Sequence, residues 1–361
     1  MAVRLGVIGT GGISHCHGDG YRQLGDRVEF VACCDLDEQK AKNYANKYGF
    51  KKVYTDYKKM LAENKFDAVS VCTWNSAHSP CVIEALNSGA NVLCEKPMAM
   101  NQEQAKEMEA AAKINNKLLM IGFVRRYGND ADAALDFIKK DYLGEVYYAK
   151  ASYIRRAGSP GGWFGDKSFS GGGPLIDLGV HVIDLSRYLL GNPKPVTVFG
   201  NTFSKLGARQ NLKSGAAAWI ATTKVAQPVF NVEDMATAFV KFDNGSLLWV
   251  ETSFSLHTEK ENGNIELHGT KAGLRLDPFT LFTETNDMLS TVKIEGPTGF
   301  GDFFGNEMAH FISCVEKGVT CMTPGADGSV CRSPAADGVE LMKILDAIYK
   351  SAATGKSVDI K

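Results

Sequence analysis

Apolar residues in the first third of the chain gather into short, nearly continuous runs: VRLGVIG from Val3, VEFVACCD from Val28, FDAVSVCT from Phe66, ANVLCEK from Ala90 and KLLMIGF from Lys117. Longer stretches with apolar positions at helical spacing lie between them. Continuous runs of this kind are strands covered on both faces, because a half-exposed strand would alternate polar with apolar residues. Strand and helix taking turns predict βαβ units, hence an α/β Rossmann domain with a doubly wound parallel sheet over residues 1–123.

Beyond Phe123 the rhythm changes. A helix is expected at about Asp130 to Lys140, then long β-type runs at Glu145 to Ile154, Val196 to Phe203, Ala236 to Phe242 and Ser246 to Phe254. Asp243, Asn244 and Gly245 supply hairpin-turn chemistry between the last two. Runs near Ile265, Leu274 and Val292 extend the series, and helices are expected near Gly305 to Glu316 and Ala335 to Ser351. Residues 124–361 therefore read as an α+β C-terminal domain with a large, open, mainly antiparallel sheet.

A chain of 361 residues exceeds the roughly 250 to 300 that one core organises, which agrees with two domains and a cleft between them. Lys and Arg number 40 against 41 Asp and Glu, so a small molecule, rather than nucleic acid or an anionic membrane, is the expected partner. Nine cysteines, an odd number without paired CxxC spacing, argue against a disulfide framework and a zinc site and point to a reducing cytoplasm. MAVRLGVIGTGG lacks the features of a signal peptide, and no apolar run approaches the roughly 20 residues that span a bilayer. His15-Cys16-His17 opens the first helix with Cys16 facing a different side from its neighbours, so packing is expected there and no metal.

GVIGTGGIS places Gly9, Thr10, Gly11, Gly12 and Ile13 between the first strand and the first helix. There backbone can approach a pyrophosphate and helix N–H groups can face it. The usual third glycine falls on Ser14, so the fingerprint is degenerate, and a tight structural turn is the competing reading. Asp35 ends the second strand about 20 residues beyond the glycines, where a carboxylate accepts the ribose hydroxyls of adenosine and repels a 2′-phosphate. No Arg follows directly, and the nearest cation is Lys40, so NAD is favoured over NADP. The competing reading makes Asp35 an N-cap for the helix beginning near Asp37.

These pieces are joined by CTWNSAH from Cys72 to His78, Glu95-Lys96-Pro97, GFVRRY from Gly122 to Tyr127, and GGGPLIDLGVHVID ending at Asp184. Together they resemble the Gfo/Idh/MocA family, which includes glucose-fructose oxidoreductase and inositol dehydrogenases. The likeness spans nearly the whole chain, down to DAIYKSAATGK. It implies a Rossmann domain, a second domain for substrate binding and oligomerisation as a homodimer or homotetramer, and NAD(P)-dependent redox chemistry on sugars and cyclitols.

Glu95-Lys96-Pro97 follows a strand and so lies at the carboxyl edge of the sheet, where open α/β folds bind ligands. That makes Lys96 a site candidate, with a solvated strand-end lysine as the bland alternative. The family's matching lysine points at the reacting hydroxyl and the nicotinamide, where its ammonium can stabilise alkoxide character. Pro97 can follow either a cis or a trans bond. In GGGPLIDLGVHVID three glycines give a flexible lead-in, Pro174 suits the first turn, and Asp177, His181 and Asp184 share one helical face. The family's matching Asp and His are catalytic partners: His181 would take the hydroxyl proton and Asp177 orient or charge the imidazole, while Asp184 ties the helix down. The alternative is a core His181 and an Asp177 favoured by the helix dipole.

Arg125 and Arg126 lie just past the last Rossmann strand, and in inositol dehydrogenases the residue matching Arg125 contacts substrate. One arginine is expected to face the cleft and the other to make a surface pair. Tyr153, Arg155 and the segment around Trp163 and Phe164 are candidates for hydrogen bonds and a stacking face to a pyranose, set against simple packing of the loop. Thr73, Trp74, Asn75 and His78 occupy a strand-to-helix turn where the family lines its cofactor channel. Many members carry Pro in place of Trp74, and inositol dehydrogenases can carry Trp.

The expected function is that of an NAD-dependent dehydrogenase taking a hydride from a secondary hydroxyl of a sugar, glycoside or cyclitol. Two other readings fit the fold: an NAD-dependent glycoside hydrolase using a transient redox step, and a non-catalytic NAD-binding regulator. Retention of Lys96, Asp177 and His181 argues against the regulator.

Overall fold

The computed structural model describes residues 1–209, 212, 221 and 229–360. The chain forms two compact units, one of Met1–Val124 with Phe304–Met342 and one of Arg125–Phe303 with Lys343–Lys361. This division differs from a single boundary near Phe123, because residues 304–342 rejoin the first unit. A returning segment leaves no trace in local periodicity, since an amphipathic helix reads alike whichever sheet it covers.

In the first unit β1 (Val3–Ile8), β2 (Val28–Cys34), β3 (Lys52–Tyr54), β4 (Ala68–Val71), β5 (Asn91–Glu95) and β6 (Leu119–Gly122) form one sheet in the order β3-β2-β1-β4-β5-β6. Every pairing in it is parallel. The four residues of β4 are all buried, as the continuous apolar runs require. The run pattern did not reveal β3, whose three residues at the sheet edge are exposed or half-buried and too few to show a period. Strand order reverses between β1 and β4, and the carboxyl ends of such a pair are where doubly wound sheets bind ligands.

The helices here are α1 (Gly12–Arg22), α2 (Glu38–Tyr48), α3 (Tyr57–Glu63), α4 (Asn75–Asn87) and α5 (Gln102–Ile114). Asp37, Asp56 and Asn101 cap α2, α3 and α5 through side-chain oxygens. By contrast α1 and α4, which follow the two strands at the reversal, have no side-chain cap and no acid in their first turn. Their leading N–H groups are thereby left to face an anion.

The second unit holds α6 (Asn129–Lys139), β7 (Val146–Ile154), α7 (Lys167–Ser170), α8 (Val180–Leu189), β8 (Pro195–Phe203), β9 (Met235–Phe242), β10 (Leu247–Ser253), β11 (Asn262–Gly269), β12 (Gly273–Arg275), β13 (Thr280–Thr285), β14 (Met288–Lys293) and β15 (Val358–Asp359). Its sheet runs β14-β13-β12-β11-β7-β10-β9-β8-β15. Only the central β7–β10 pair is parallel, and the other pairings are antiparallel. Gly245, at φ +86°, closes the β9–β10 hairpin as its sequence predicts. Along β9 buried residues alternate with exposed or half-exposed ones, so one face of this sheet packs and the other does not. Two further helices, α9 (Phe303–Glu316) and α10 (Ala335–Thr354), lie between β14 and β15 in sequence. No helix among the described residues is long and apolar enough to cross a membrane.

Candidate active site

Gly9 leaves β1 at φ +88°, and a Cβ there would stand 2.6 Å from the Cys72 carbonyl oxygen and 2.9 Å from the Thr73 nitrogen. Only glycine fits that close approach of two strand ends. Gly11 is the opposite case: its Cβ would meet nothing within 4 Å. One glycine is thus demanded by the protein, while the other keeps an open surface beside the uncapped N-terminus of α1, which begins at Gly12 and Ile13. Ser14, where the usual fingerprint has glycine, is fully buried and donates its hydroxyl to the Gly11 carbonyl over 2.7 Å. Close packing of α1 on α2 falls instead to Gly18, whose Cβ would lie 2.6 Å from the Tyr48 ring.

Asp35 ties the second strand to this loop. Its Oδ2 accepts from the Thr10 amide at 2.7 Å and the Thr10 hydroxyl at 3.0 Å, and its Oδ1 accepts from the Asp37 amide. The N-cap of α2 is Asp37, which accepts from the Gln39 and Lys40 amides. Asp35 is therefore released from capping. It stands half-exposed at the sheet's carboxyl edge beside the open glycine, an arrangement that fits a dinucleotide's ribose and pyrophosphate.

Lys96 directly follows β5 and precedes a cis bond to Pro97; it is half-buried and donates its amide to Glu95 Oε2 over 3.1 Å. Glu95 itself is buried and accepts from His17 Nε2 at 2.8 Å. Burial alone would push the Glu95 carboxyl up, but His17, with Lys96 and His78 adding, holds it below its usual range. His17 also approaches Ser70, which is hydrogen-bonded to the Tyr21 hydroxyl. His17 is thus a packed helix residue, while His15 meets Tyr48.

Thr73 and Trp74 are half-buried at the start of α4, and Asn75 is its first residue. His78 is almost wholly buried, with Nδ1 2.8 Å from the Pro97 carbonyl and Nε2 3.2 Å from that of Thr73. Burial lowers its pKa, so the ring is neutral and has one N–H to donate. His78, expected on the cofactor channel, lies between the Pro97 and Thr73 carbonyls and donates to one of them.

In the second unit, Asp177 and His181 lie on consecutive helical segments of different pitch. Leu175–Gly179 forms a π-helical turn and α8 continues from Val180. The expectation that Asp177, His181 and Asp184 share a face assumed one α-helical period, whereas Asp177 lies in the wider turn. Asp177 is buried and His181 half-exposed. The glycine lead-in is packed rather than flexible, because a Cβ on Gly172 would lie 2.0 Å from the Tyr349 hydroxyl and one on Gly173 2.0 Å from the Glu233 carbonyl oxygen.

Glu233 is the residue here that sequence reasoning missed. Buried, it accepts the Leu175 amide at 3.2 Å and the Tyr349 hydroxyl at 2.9 Å, holding the first turn of the segment that carries Asp177. Burial raises its pKa, and the hydrogen bonds from backbone and Tyr349 only partly oppose that. Its partners are distant in sequence, so no spacing could reveal them. The neighbouring Asp234 accepts the amides of Lys205, Leu206 and Gly207 and fixes that loop.

Residues 3–123 match the oxidoreductase family with an NAD-binding Rossmann fold, and residues 132–275 match the GFO/IDH/MocA C-terminal domain. D-glucoside 3-dehydrogenase of Escherichia coli is 33% identical over 99% of this chain and 97% of that protein. The chain belongs to the Gfo/Idh/MocA family. Myo-inositol 2-dehydrogenase of Thermotoga maritima is 26% identical over 91% of this chain and 92% of its own length. Levoglucosan dehydrogenase in complex with NADH and levoglucosan shares the fold with a TM-score of 0.83 at 23% identity, each chain covered in full. The Gfo/Idh/MocA assignment makes the protein an NAD-dependent oxidoreductase, and the open glycine, the uncapped α1 and Asp35 fit that cofactor.

The other arginines and aromatics of this Gfo/Idh/MocA chain are placed as follows. Arg126 is fully buried and grips Asp184 through two hydrogen bonds of 2.9 and 2.7 Å, with its guanidinium 4.5 Å from the Tyr188 ring centre. The expected surface pair is thus a buried, bidentate one, and Asp184 anchors its helix through it. Arg125 donates to Asp130 over 3.0 Å and lies 4.3 Å from the Phe300 ring centre, while its buried Nε has no hydrogen-bond partner among the described residues. Arg155 turns back to donate to the Gly158 carbonyl, with its guanidinium 5.4 Å from the Tyr153 ring. Trp163 stacks on buried Phe164 at 3.9 Å between centroids, so one of its faces is occupied by packing.

Proposed function

We propose that this Gfo/Idh/MocA oxidoreductase dehydrogenates a secondary hydroxyl of a sugar, glycoside or cyclitol, with Lys96, Asp177 and His181 as the reacting set. The observation that carries the reading is Lys96 at the carboxyl end of β5, in the same unit as the open dinucleotide cradle. The similarity to dehydrogenases of a glucoside, levoglucosan and myo-inositol supports the substrate class. NAD, when bound, supplies the hydride acceptor. The amides of Gly11, Gly12 and Ile13 would hold its pyrophosphate and Asp35 its ribose, with Thr73, Trp74 and Asn75 along the adjoining channel.

Lys96 places a positive charge at the hydroxyl oxygen as negative charge develops there. His181 accepts the hydroxyl proton on its imidazole, and Asp177 fixes the orientation of that ring. Arg125 offers its unpartnered Nε to a substrate oxygen, and Tyr153, Arg155 and Trp163 bound the sugar. A panel of inositols, free sugars and glycosides, followed by NADH absorbance, tests the reading. Cleavage of glycosides with bound NAD but no net NADH would overturn it in favour of hydrolysis.

The protein acts as a homodimer or homotetramer through the uncovered face of the nine-stranded sheet. Phe199, Phe239 and Trp249 stand opposite one another on adjacent strands there, and Phe199 and Phe239 remain about half exposed. Such a row of aromatics is the kind of patch that interfaces bury. Light scattering of Phe239→Asp beside the parent protein tests this, and a monomeric parent overturns it. Nine free thiols support a reducing compartment, the cytoplasm.

A further inference from the structure

We propose that Cys314 and Cys331 form a redox-active dithiol, oxidised by a hydroperoxide to a reversible disulfide. Cys314 lies near the end of α9, with its Sγ 3.4 Å from Nε2 of His310 one helical turn back. The amide of Arg332, next to Cys331, donates to that same nitrogen over 3.0 Å. The Cys331 thiol is itself hydrogen-bonded to Cys314. Beyond Arg332 the chain is held again, Ser333 accepting the Ile121 amide at 2.9 Å and Pro334 pairing with Met120. Cys331 is therefore presented to Cys314 by backbone fixed on its C-terminal side.

The remaining cysteines supply the contrast. Burial pushes the thiols of Cys33, Cys34 and Cys81 up to about 12 and also raises Cys16, Cys72, Cys94 and Cys321, so these stay protonated and behave as small apolar side chains. At Cys314 the hydrogen bond from Cys331 outweighs burial, and with the charge of Lys317 adding it brings the thiol below its ordinary value. A thiolate is the nucleophilic form, and here it sits against a second, partly exposed thiol. Cys314 itself is buried, which admits small oxidants and excludes bulky ones.

In the first step the Cys314 thiolate attacks one peroxide oxygen. The S–O bond forms, the O–O bond breaks, and the departing hydroxide takes up a proton as water. In the second step Cys331 sulfur attacks the Cys314 sulfenic acid, the S–S bond forms, and the hydroxyl leaves as water with the Cys331 proton. Two thiols and one hydrogen peroxide become one disulfide and two waters, the sulfurs being oxidised and the peroxide oxygens reduced.

Full-length protein treated with hydrogen peroxide, then alkylated and digested without reductant, is expected to yield a Cys314–Cys331 linked peptide that dithiothreitol reverses, with the other thiols alkylated. Between pH 6 and 8 the oxidation rate should rise far less than that of a thiol of ordinary pKa, which changes about 100-fold over that range. Cys331→Ser, checked for its native circular dichroism, should stop at a Cys314 sulfenic acid that a cyclic 1,3-diketone traps. Recovery of Cys314 and Cys331 as free thiols under conditions that oxidise Cys321 would overturn the proposal. So would a rate that climbs with pH as for an ordinary thiol.

Discussion

Two glycine-rich segments each lead into a helix in this protein, and they do opposite things. At Gly9 to Gly12 the chain makes a tight turn and leaves Gly11 facing open space before an uncapped helix. At Gly172 and Gly173 the space a side chain would take is filled by Tyr349 and Glu233, and Glu233 accepts the first-turn amide of Leu175. One segment keeps its helix end for a ligand, while the other satisfies its helix end from within the protein. Glycine in a sequence marks where backbone must come close to something, and only the surroundings say whether that is a cofactor or a neighbouring residue.

The comparison is broken most forcefully through the chemistry each segment supports. His181→Ala should lower turnover by roughly 10² to 10⁴, the range for a positioned general base, with the loss shrinking at high pH where hydroxide substitutes. Lys96→Ala should cost about 10² to 10³ in turnover while NAD affinity holds, as expected when a charge acts on the transition state. Steady-state rates on a confirmed substrate, beside a cofactor titration, check both. Full activity in either variant would make that residue structural.

The glycines themselves sharpen the contrast. Gly173→Ala drives a methyl group into the Glu233 carbonyl and should cost about 1 to 3 kcal/mol or more in stability, read by urea denaturation. Gly11→Ala should leave the denaturation midpoint almost unmoved and weaken NAD binding. Equal loss of stability in both variants would erase the distinction drawn between the two segments. A smaller effect attends Asp35: NAD is expected to bind more tightly than NADP, and Asp35→Ser to narrow the gap. Tighter NADP binding by the parent protein would remove Asp35 from the ribose.

The smallest expected effect is in pH dependence. Burial raises the Glu233 pKa in the folded protein above its unfolded value, so its stabilising contribution is fully present below about pH 4.5 and declines as pH rises through the folded value. Glu233→Gln should flatten that part of the stability curve, measured by denaturation across the acid-to-neutral range. An unchanged curve would mean that Glu233 titrates alike in both states.

Local pattern carried the Rossmann rhythm, the hairpin at Gly245, the glycine turn and the position of Asp35 at the end of β2, because burial on both faces, positive φ and strand ends all write themselves into neighbouring residues. The lysine after β5 was legible for the same reason, since its place follows from the strand it ends. What the sequence could not decide was anything resting on partners far along the chain. Arg126 pairs with Asp184 across 58 positions, and Glu233 meets Leu175 and Tyr349 at separations of 58 and 116. The π-turn that carries Asp177 was hidden as well, because helical spacing counts residues and not the pitch that packing imposes. His78 reads as a channel residue from its position, and the two backbone carbonyls beside its ring were not legible there. Sequence determined which backbone elements form and where their ends fall, since those are short-range matters of burial and turn chemistry. Tertiary structure decided which polar groups are consumed in holding those ends and which remain for chemistry, since a hydrogen-bond partner is fixed by distance in space.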